Sequence, residues 1–195
     1  MMSRSQTCER VNAILAAWNA RDLDGFVAQL APDVYWHDLG MPHPPAVGRE
    51  AVRAFSAAVL RAFPDFRYEL RGPVCVAEDG MSCVVPFVIT ATQTAPLTPP
   101  GFAPTGRTVR IEGLDYLQFN EHFATRIETR FDIVHTLEQL LGLSLRPAAG
   151  SLREVVAVRL QRAVAWARRQ PAPASPPPSN KRMDQRARTS SKEGD

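Results

Sequence analysis

The chain has 195 residues, 45% of them hydrophobic, which allows one domain of ordinary size plus an appendage. Its net charge is +3, and residues 171–195 contribute +2 of this through five basic and three acidic residues. Residues 1–170 hold the other 18 basic and 17 acidic residues, so their net charge is only +1. This part of the chain therefore lacks the basic surface that is typical of a nucleic-acid-binding protein. No apolar run reaches transmembrane length and residues 1–15 lack the apolar core of a signal peptide, so we expect a soluble cytoplasmic protein without a membrane span.

Helical periodicity dominates the first third of the chain. Apolar residues at positions i, i+3, i+4 and i+7 predict an amphipathic helix over residues 7–20, with Thr7 or Ser5 capping its start. Similar patterns predict helices over residues 23–31 and 49–63. The first third of the chain is therefore expected to supply helices that pack on whatever follows.

Strand-like patterns dominate the middle of the chain, after an early short run at residues 34–38. Residues 84–92 are apolar on both faces, which predicts a central strand, and Pro86 within it predicts a bulge or an unpaired edge segment. Residues 95–106 form a proline-rich loop whose length predicts a lid or a rim over a site.

Two strand-like runs within residues 107–135 each carry an unexpected carboxylate. Asp115 shares one face with apolar residues, namely Val109, Ile111, Leu117 and Phe119. In the second run, Asp132 falls on the face opposite to the apolar residues Ile127, Phe131 and Ile133. A carboxylate that lines a cavity loses hydration, which raises its pKa towards the range useful for proton transfer. Asp115 and Asp132 are therefore candidate acid/base groups, and the alternative is that they pair with arginines on an exposed or edge face.

The C-terminal part of the chain returns to helix. A capping-box pattern from Thr136 to Gln139 predicts the start of a short helix, and Gly142 its end. Residues 151–170 predict a basic amphipathic helix that packs on the domain or on a second subunit, with a membrane-surface helix as the alternative. Residues 171–195 begin with five prolines in eight positions and are predicted to be a disordered, charged tail.

Cysteine spacing and known motifs restrict the chemistry. Cys8, Cys75 and Cys83 lack metal-ligand spacing, so we expect reduced thiols, although Cys75 and Cys83 could face each other across a hairpin. The sequence contains no nucleophile elbow, dinucleotide-binding glycine motif, Walker loop or paired-histidine metal signature. Accordingly, neither a metal nor another cofactor is implied.

Helices followed by strands predict an α+β fold, in which a curved antiparallel sheet carries helices on one face. Such a sheet leaves a cone-shaped hollow that suits a small hydrophobic metabolite, with a few polar groups at the base.

Four segments of the chain together resemble the SnoaL-like polyketide cyclase (ester cyclase-like) family of the NTF2-like superfamily: WNARDLDGFVAQLAPDVYWHD, GREAVRAFSAAVLRAFPDF, PLTPPGFAPTGRTVRIEGLDYLQF and RIETRFDIVHTLEQLLGL. The resemblance covers about residues 7–145, so it implies an NTF2-like cone over residues 1–145, with a curved antiparallel β-sheet wrapped around the N-terminal helices and residues 151–170 as an extra C-terminal helix. A homodimer is common in that fold. The superfamily includes cyclases, isomerases, dehydratases, epoxide hydrolases and non-enzymatic binding domains.

The resemblance also implies site residues. In the cyclases, an Asp late in the sheet serves as acid and base in a cofactor-free intramolecular aldol closure, within a segment like His-Trp-Asp. The corresponding segment here is Arg130-Phe131-Asp132, so Asp132 matches the catalytic Asp, while Arg130 replaces the family His. An arginine cannot relay protons at neutral pH, but it could hold an enolate oxygen or a substrate carboxylate. Asp115 matches a cavity-facing polar position on the preceding strand.

Our functional hypothesis is abstraction of a proton α to a carbonyl. Asp132 would be the base, Arg130 or His37 would polarise the carbonyl, and Asp115 would orient one of them. Candidate substrate-binding residues are Trp18, Trp36, Phe87, Phe119 and His135. Two alternatives remain open: a non-enzymatic small-molecule-binding or dimerisation domain, and a hydrolase that activates water against an epoxide or ester.

Overall fold

A computed structural model describes residues 2–40, 44–98, 101–146 and 148–169. The chain divides into two compact units, Met1–Leu145 and Arg146–Asp195. The tail predicted over residues 171–195 lies outside the described residues.

The N-terminal helices are α1 (Arg4–Asn19), α2 (Leu23–Ala28) and α3 (Gly48–Ala62). Helix α1 begins earlier than predicted because Ser3 and Gln6 form a capping box, in which each side chain accepts a hydrogen bond from the backbone N–H of the other residue.

The predicted caps Thr7 and Ser5 were therefore wrong, since both residues lie inside α1. Thr7 is buried instead, and its hydroxyl donates a 2.6 Å hydrogen bond to the carbonyl of Gly80. This bond ties the first turns of α1 to the turn that precedes a long strand.

The strands are β1 (Leu30–Asp38), β2 (Ala46–Val47), β3 (Arg67–Leu70), β4 (Cys75–Val76), β5 (Ser82–Thr92), β6 (Thr108–Phe119) and β7 (Ala124–Phe131). They form one curved, open sheet in the order β2-β1-β7-β6-β5-β3, with β4 also pairing with β5. All pairs are antiparallel except β1 with β7, which run parallel. Strand β1 also begins earlier than predicted, so the helix expected over residues 23–31 ends at Ala28. These elements confirm the predicted α+β cone.

Strand β5 is central, as its apolar character predicted, because it lies between β6 and the short strands β3 and β4. Pro86 continues the register with β6, opposite Leu114, without a bulge. Its carbonyl accepts a 2.9 Å hydrogen bond from the Arg71 N–H, on the edge where β3 and β4 leave a gap. Since the N and C=O of a strand residue point to the same edge, the proline nitrogen faces the side of Arg71 and leaves the pairing with β6 intact.

Helix α4 (Ile133–Leu141) follows β7 directly and begins three residues before the predicted start at Thr136. Its N-cap is Asp132, whose Oδ1 accepts a 2.9 Å hydrogen bond from the His135 N–H. Gly142 ends the helix in the left-handed conformation at φ 65°, as predicted.

An aromatic cluster joins the helices to the sheet. Trp18 of α1 packs edge-to-face against Phe26, Trp36 and Phe66, with ring centroids 5.1–5.8 Å apart. Val11, Ile14 and Trp18 are buried, which confirms the apolar stripe of α1. The core therefore lies between the helices and the inner face of the sheet.

The three cysteines form no disulfide. Cys75 lies opposite Val84 and Cys83 opposite Val76, so the two thiols are not directly paired across the hairpin. Burial raises the pKa of the Cys83 thiol to about 12, which keeps it protonated and unreactive at neutral pH.

The second unit contains helix α5 (Leu152–Arg169). Ser151 begins it by accepting a 3.2 Å hydrogen bond from the Glu154 N–H. Several of its large apolar side chains are exposed: Leu152, Val155, Val156, Val158, Leu160, Val164 and Trp166. None of the described helices is long and apolar enough to cross a membrane.

Candidate active site

A cavity of about 180 Å³ lies in the first unit, between the inner face of the sheet and helices α1, α3 and α4. Its wall is mainly aliphatic and aromatic. The carboxyl and hydroxyl groups that line it belong to Asp38, Tyr68, Asp115, Thr129 and Thr136. No Arg, Lys or His is present among the described lining residues.

Three of these polar residues form a row across the sheet. Thr129 of β7 is paired with Asp38 of the parallel strand β1 and with Asp115 of the antiparallel strand β6. Paired residues on neighbouring strands point to the same face. The carboxyl groups of Asp38 and Asp115 therefore lie on the two strands that flank Thr129, and all three residues line the cavity.

Tyr68 reaches this row from the edge strand β3. Its hydroxyl donates a 2.6 Å hydrogen bond to Oδ2 of Asp115. Burial raises the pKa of Tyr68 far above its ordinary value, so the phenol remains a donor at all relevant pH values. The tyrosine backbone is fixed in turn by the Asn19 side chain, which donates to the Tyr68 carbonyl at 2.8 Å and accepts from its N–H at 2.9 Å.

Asp115 is a half-buried acid in a mainly apolar wall. Burial raises its pKa to about 6, against the opposing effects of the Thr129 and Tyr68 hydroxyls. The Oδ1 atom is buried and has no hydrogen-bond partner among the described residues. Tyr68 holds Oδ2, so Oδ1 is the carboxylate oxygen that no described residue holds.

The pKa of Asp38, at the end of β1, is raised further than that of Asp115. Burial raises its pKa to about 7, the Gly40 N–H lowers it through a 2.6 Å hydrogen bond, the nearby Asp115 charge raises it, and the Thr129 hydroxyl lowers it. Near neutral pH, one carboxyl of the pair can therefore be ionised while the other keeps its proton.

Thr129 links the pair to the aromatic cluster. Its Oγ1 accepts a 3.2 Å hydrogen bond from the indole Nε1 of Trp36. The threonine hydroxyl proton is then available to one of the two carboxyl groups beside it. This arrangement sets the Thr129 hydroxyl between acid and base.

Some of the residues predicted from the sequence meet at the cavity. Asp115, Trp18 and Trp36 line it together. Phe87 and Phe119 are buried in the core but do not line the cavity, and Phe87 instead packs behind Tyr68 with ring centroids 5.0 Å apart.

The other predicted residues lie outside this cavity. Asp132 is exposed and caps α4, and His135 is an exposed residue of that helix. Arg130 is also exposed, with Nη2 2.7 Å from Oε2 of Glu128 and Nη1 3.2 Å from Nδ1 of His37. The structure does not bring Asp132 and Asp115 into one cavity, and the catalytic roles predicted for Asp132, Arg130 and His37 stay predictions.

Asp38, Tyr68 and Thr129 were not among the predicted site residues. Asp38 shares strand parity with the buried Trp36, and Tyr68 alternates with charged residues. These signals indicated inward-facing side chains. The sequence pattern did not predict that β1 pairs with β7, and only this pairing places Asp38 beside Thr129.

No group of three or more His, Cys, Asp or Glu in the described ranges is arranged to hold a metal ion. The chemistry that the cavity residues themselves can perform is proton transfer involving two half-buried carboxyl groups, one ionised and one protonated.

Comparison with solved structures identifies the fold. AclR, a proposed hydroxylase from Streptomyces galilaeus, shares 21% identity at a TM-score of 0.60, covering 87% of this chain and 100% of AclR. A proposed SnoaL-like polyketide cyclase from Jannaschia sp. CCS1 shares 20% identity at a TM-score of 0.62, covering 73% and 94% of the two chains. An NTF2-like protein of unknown function from Burkholderia pseudomallei K96243 shares 23% identity at a TM-score of 0.56, covering 71% and 98%.

A search of curated proteins gives no significant match. The model of the SnoaL-like domain family matches residues 11–138, about two thirds of the 195-residue chain. This range contains α2, α3, all seven described strands, both cavity carboxyl groups and the greater part of α1 and α4. The chain therefore belongs to the SnoaL-like domain family.

Proposed function

We propose that this protein is an acid/base enzyme that acts, without a cofactor, on a small hydrophobic substrate containing a carbonyl group. The observation that carries this proposal is the pair Asp115 and Asp38, two carboxyl groups in one apolar cavity with pKa values of about 6 and 7. Acid/base catalysis is most efficient when the pKa of the catalytic group lies near the working pH.

In the proposed reaction, Asp115 is the base. Its Oδ1 takes a proton from the carbon next to the carbonyl, so the C–H bond breaks and its electron pair moves into the enolate. The protonated Asp38 donates a hydrogen bond or its proton to the oxygen on which charge develops. Return of the proton to another carbon completes an isomerisation. In an aldol closure, the enolate carbon instead attacks a second carbonyl of the same molecule, and the proton held by Asp115 passes to the alkoxide that forms.

Membership of the SnoaL-like domain family supports a polyketide (ester) cyclase-like closure or a related isomerase or hydratase reaction. The homodimer implied by the resemblance stays a prediction, and analytical ultracentrifugation of the full chain tests it.

A second candidate is hydrolysis of an epoxide or ester. The same pair of pKa values favours it, because an ionised Asp115 could activate a water molecule while a protonated Asp38 gives its proton to the leaving oxygen. Incorporation of ¹⁸O from labelled water into the product separates this reaction from a closure or an isomerisation, which take up no water oxygen. A cavity that binds a hydrophobic metabolite without turning it over is the third candidate, and it is favoured by the apolar wall.

The proposal can be tested before the substrate is known. The bicyclic ketone 2-tetralone has acidic protons beside its carbonyl, and their exchange for deuterium in D₂O is measured by NMR. We expect the wild-type protein to accelerate the exchange and Asp115→Asn to abolish the acceleration while remaining folded. Asp132→Asn is the matched control and should exchange like the wild type. Equal exchange by Asp115→Asn and wild type would remove Asp115 as the base.

A further inference from the structure

We propose that Trp18 binds the carbonyl oxygen of the substrate through its indole N–H, and that the cavity accepts only uncharged ligands. This inference rests on the proposed function and names the substrate class: a ring-bearing ketone or ester without an ionised acidic group, with an acidic C–H or hydroxyl that faces Asp115.

Two buried polar atoms of residues that line the cavity lack a partner among the described residues. They are Nε1 of Trp18, which can only donate a hydrogen bond, and Oδ1 of Asp115, which accepts one when ionised. The Trp18 side chain is almost fully enclosed, with 7% of its surface exposed. The neighbouring Trp36 differs, because its Nε1 donates to Thr129. A buried donor without a partner lowers stability, and a ligand oxygen in the cavity would satisfy it.

Two series of contacts connect Trp18 to the row of polar residues that contains Asp115. Asn19, the residue after Trp18, is hydrogen-bonded through its side chain to the backbone of Tyr68, whose hydroxyl binds Asp115. A second connection runs through Trp36, which packs on Trp18 with ring centroids 5.8 Å apart and bonds to Thr129. Donor and base are therefore positioned by elements that contact each other.

The charge of the wall excludes acidic ligands. Asp38 and Asp115 line the cavity, and no basic side chain does so among its described lining residues. A ligand carboxylate would lose its hydration and meet a like charge without a compensating cation. Arg130, which the sequence suggested as the group that holds an enolate or a carboxylate, is not part of this wall and pairs with Glu128. The indole N–H of Trp18 is a neutral donor, so it can bind the carbonyl oxygen of an uncharged ligand alongside the protonated Asp38.

The test compares two probes in the full-length protein by isothermal titration calorimetry. The first is 2-tetralone, and the second is tetralin, which has the same bicyclic skeleton without the carbonyl. We expect Trp18→Phe, which keeps an aromatic ring and removes the N–H, to weaken 2-tetralone binding by about 3- to 10-fold. Tetralin binding should change by less than about 2-fold, because it makes no hydrogen bond.

A matched control removes apolar contact without removing a polar group. Phe66 packs on Trp18 with ring centroids 5.5 Å apart, and Phe66→Leu should weaken both probes by the same factor. The anionic probe 2-naphthoate should show no binding to the wild type. A second measurement needs no variant of Trp18: in the ¹⁵N-labelled wild type, the Trp18 indole N–H resonance, assigned by elimination with Trp36→Phe and Trp166→Phe, should shift with 2-tetralone and not with tetralin.

The possible failures are distinguishable. Two results would overturn the role of Trp18: an equal loss of affinity for both probes in Trp18→Phe, or an indole N–H resonance that does not shift with 2-tetralone. Neither result would affect the deuterium-exchange test of Asp115. Binding of 2-naphthoate as tight as that of tetralin would overturn the exclusion of anions. Failure of both uncharged probes to bind the wild type would overturn this inference together with the proposed ligand cavity.

Discussion

The Tyr68 hydroxyl and the Asp115 carboxylate meet at 2.6 Å although they come from strands that are not neighbours. Strand β5 lies between β3 and β6, so this hydrogen bond spans the concave face of the sheet. It fixes the orientation of the carboxylate and occupies Oδ2, which leaves Oδ1 for chemistry. The bond also makes the pKa of Asp115 sensitive to a residue that need not touch the substrate.

Removal of this hydrogen bond should shift the pH dependence of proton abstraction. The Tyr68 hydroxyl lowers the pKa of Asp115, so Tyr68→Phe should raise it. We expect the acidic limb of the 2-tetralone exchange rate to move to higher pH, since a higher pH is then needed to ionise the base. Tyr116→Phe is the control, because Tyr116 lies next to Asp115 on β6 and hence on the opposite face. An unchanged acidic limb in Tyr68→Phe would contradict the assignment of Asp115 as the base.

The wild-type rate should have a narrow maximum. Activity requires an ionised Asp115, with a pKa of about 6, and a protonated Asp38, with a pKa of about 7. The exchange rate should therefore peak between these pH values and fall on both sides, with limbs that belong to the coupled pair. In Asp38→Asn the alkaline limb should disappear, because no proton is left to lose. A wild-type profile that is flat between pH 5 and 8 would argue against both assignments.

The same carboxyl pair should lower stability at high pH. The folded-state pKa of Asp38 is raised to about 7 from 3.8, so the folded protein holds this proton more tightly than the unfolded chain. The contribution of this bound proton to the free energy of unfolding is fully present below about pH 4 and is lost as the pH rises through 7. Asp38→Asn, which mimics the protonated acid, should thus be more stable than wild type at pH 8, by about 2–4 kcal/mol, and equal to it near pH 4.

Thermal unfolding at the two pH values measures this difference. A lower melting temperature for Asp38→Asn at pH 8 would show that the cavity stabilises the ionised carboxylate, contrary to the raised pKa of Asp38.

Asp132 should act as a helix cap. Its Oδ1 accepts the His135 N–H at the start of α4, and an Asn can accept the same bond. We expect Asp132→Asn to keep both stability and exchange activity, and Asp132→Ala to lose about 1 kcal/mol of unfolding free energy. The measurements are denaturant unfolding and 2-tetralone exchange. Loss of exchange in a folded Asp132→Asn would restore the catalytic role that the family resemblance suggests.

Gly113 should tolerate no side chain. A Cβ at this position of β6 would lie 2.4 Å from the Arg130 carbonyl oxygen and 2.5 Å from Cζ of Phe87. Since the backbone oxygen cannot move freely, Gly113→Ala should destabilise the protein by about 1–3 kcal/mol. Gly72→Ala is the matched control, because nothing lies within 4 Å of its added Cβ, and it should leave the unfolding midpoint unchanged. Equal midpoints for the two variants would show that the sheet relaxes around Gly113.

Alternation and helical periodicity predicted much of this structure because both report which face is buried. The parity of Asp115 with Val109 and Leu117 placed it correctly on the inner face, and the spacing of Val11 and Trp18 identified the buried stripe of α1. These are local patterns, and a local pattern suffices when the core lies on one side of an element.

The site itself was less predictable because it depends on which strands pair. The sequence pattern does not state that β1 runs parallel to β7, so it does not place Asp38 beside Thr129. Asp132 illustrates a second limit. An Asp before an apolar helical segment is a typical N-cap, but the sequence pattern predicts the helix start at Thr136, and the family resemblance assigns Asp132 a catalytic role instead.

The parallel pairing of β1 and β7 also has a consequence for folding. Trp36 and Thr129 are 93 positions apart in the chain, and Asp38 reaches its partner only when this closure is complete. Contacts of such long sequence separation form slowly. During refolding, proton-abstracting activity should therefore return after most of the helical circular-dichroism signal has recovered. The return of activity would report the pairing of β1 with β7.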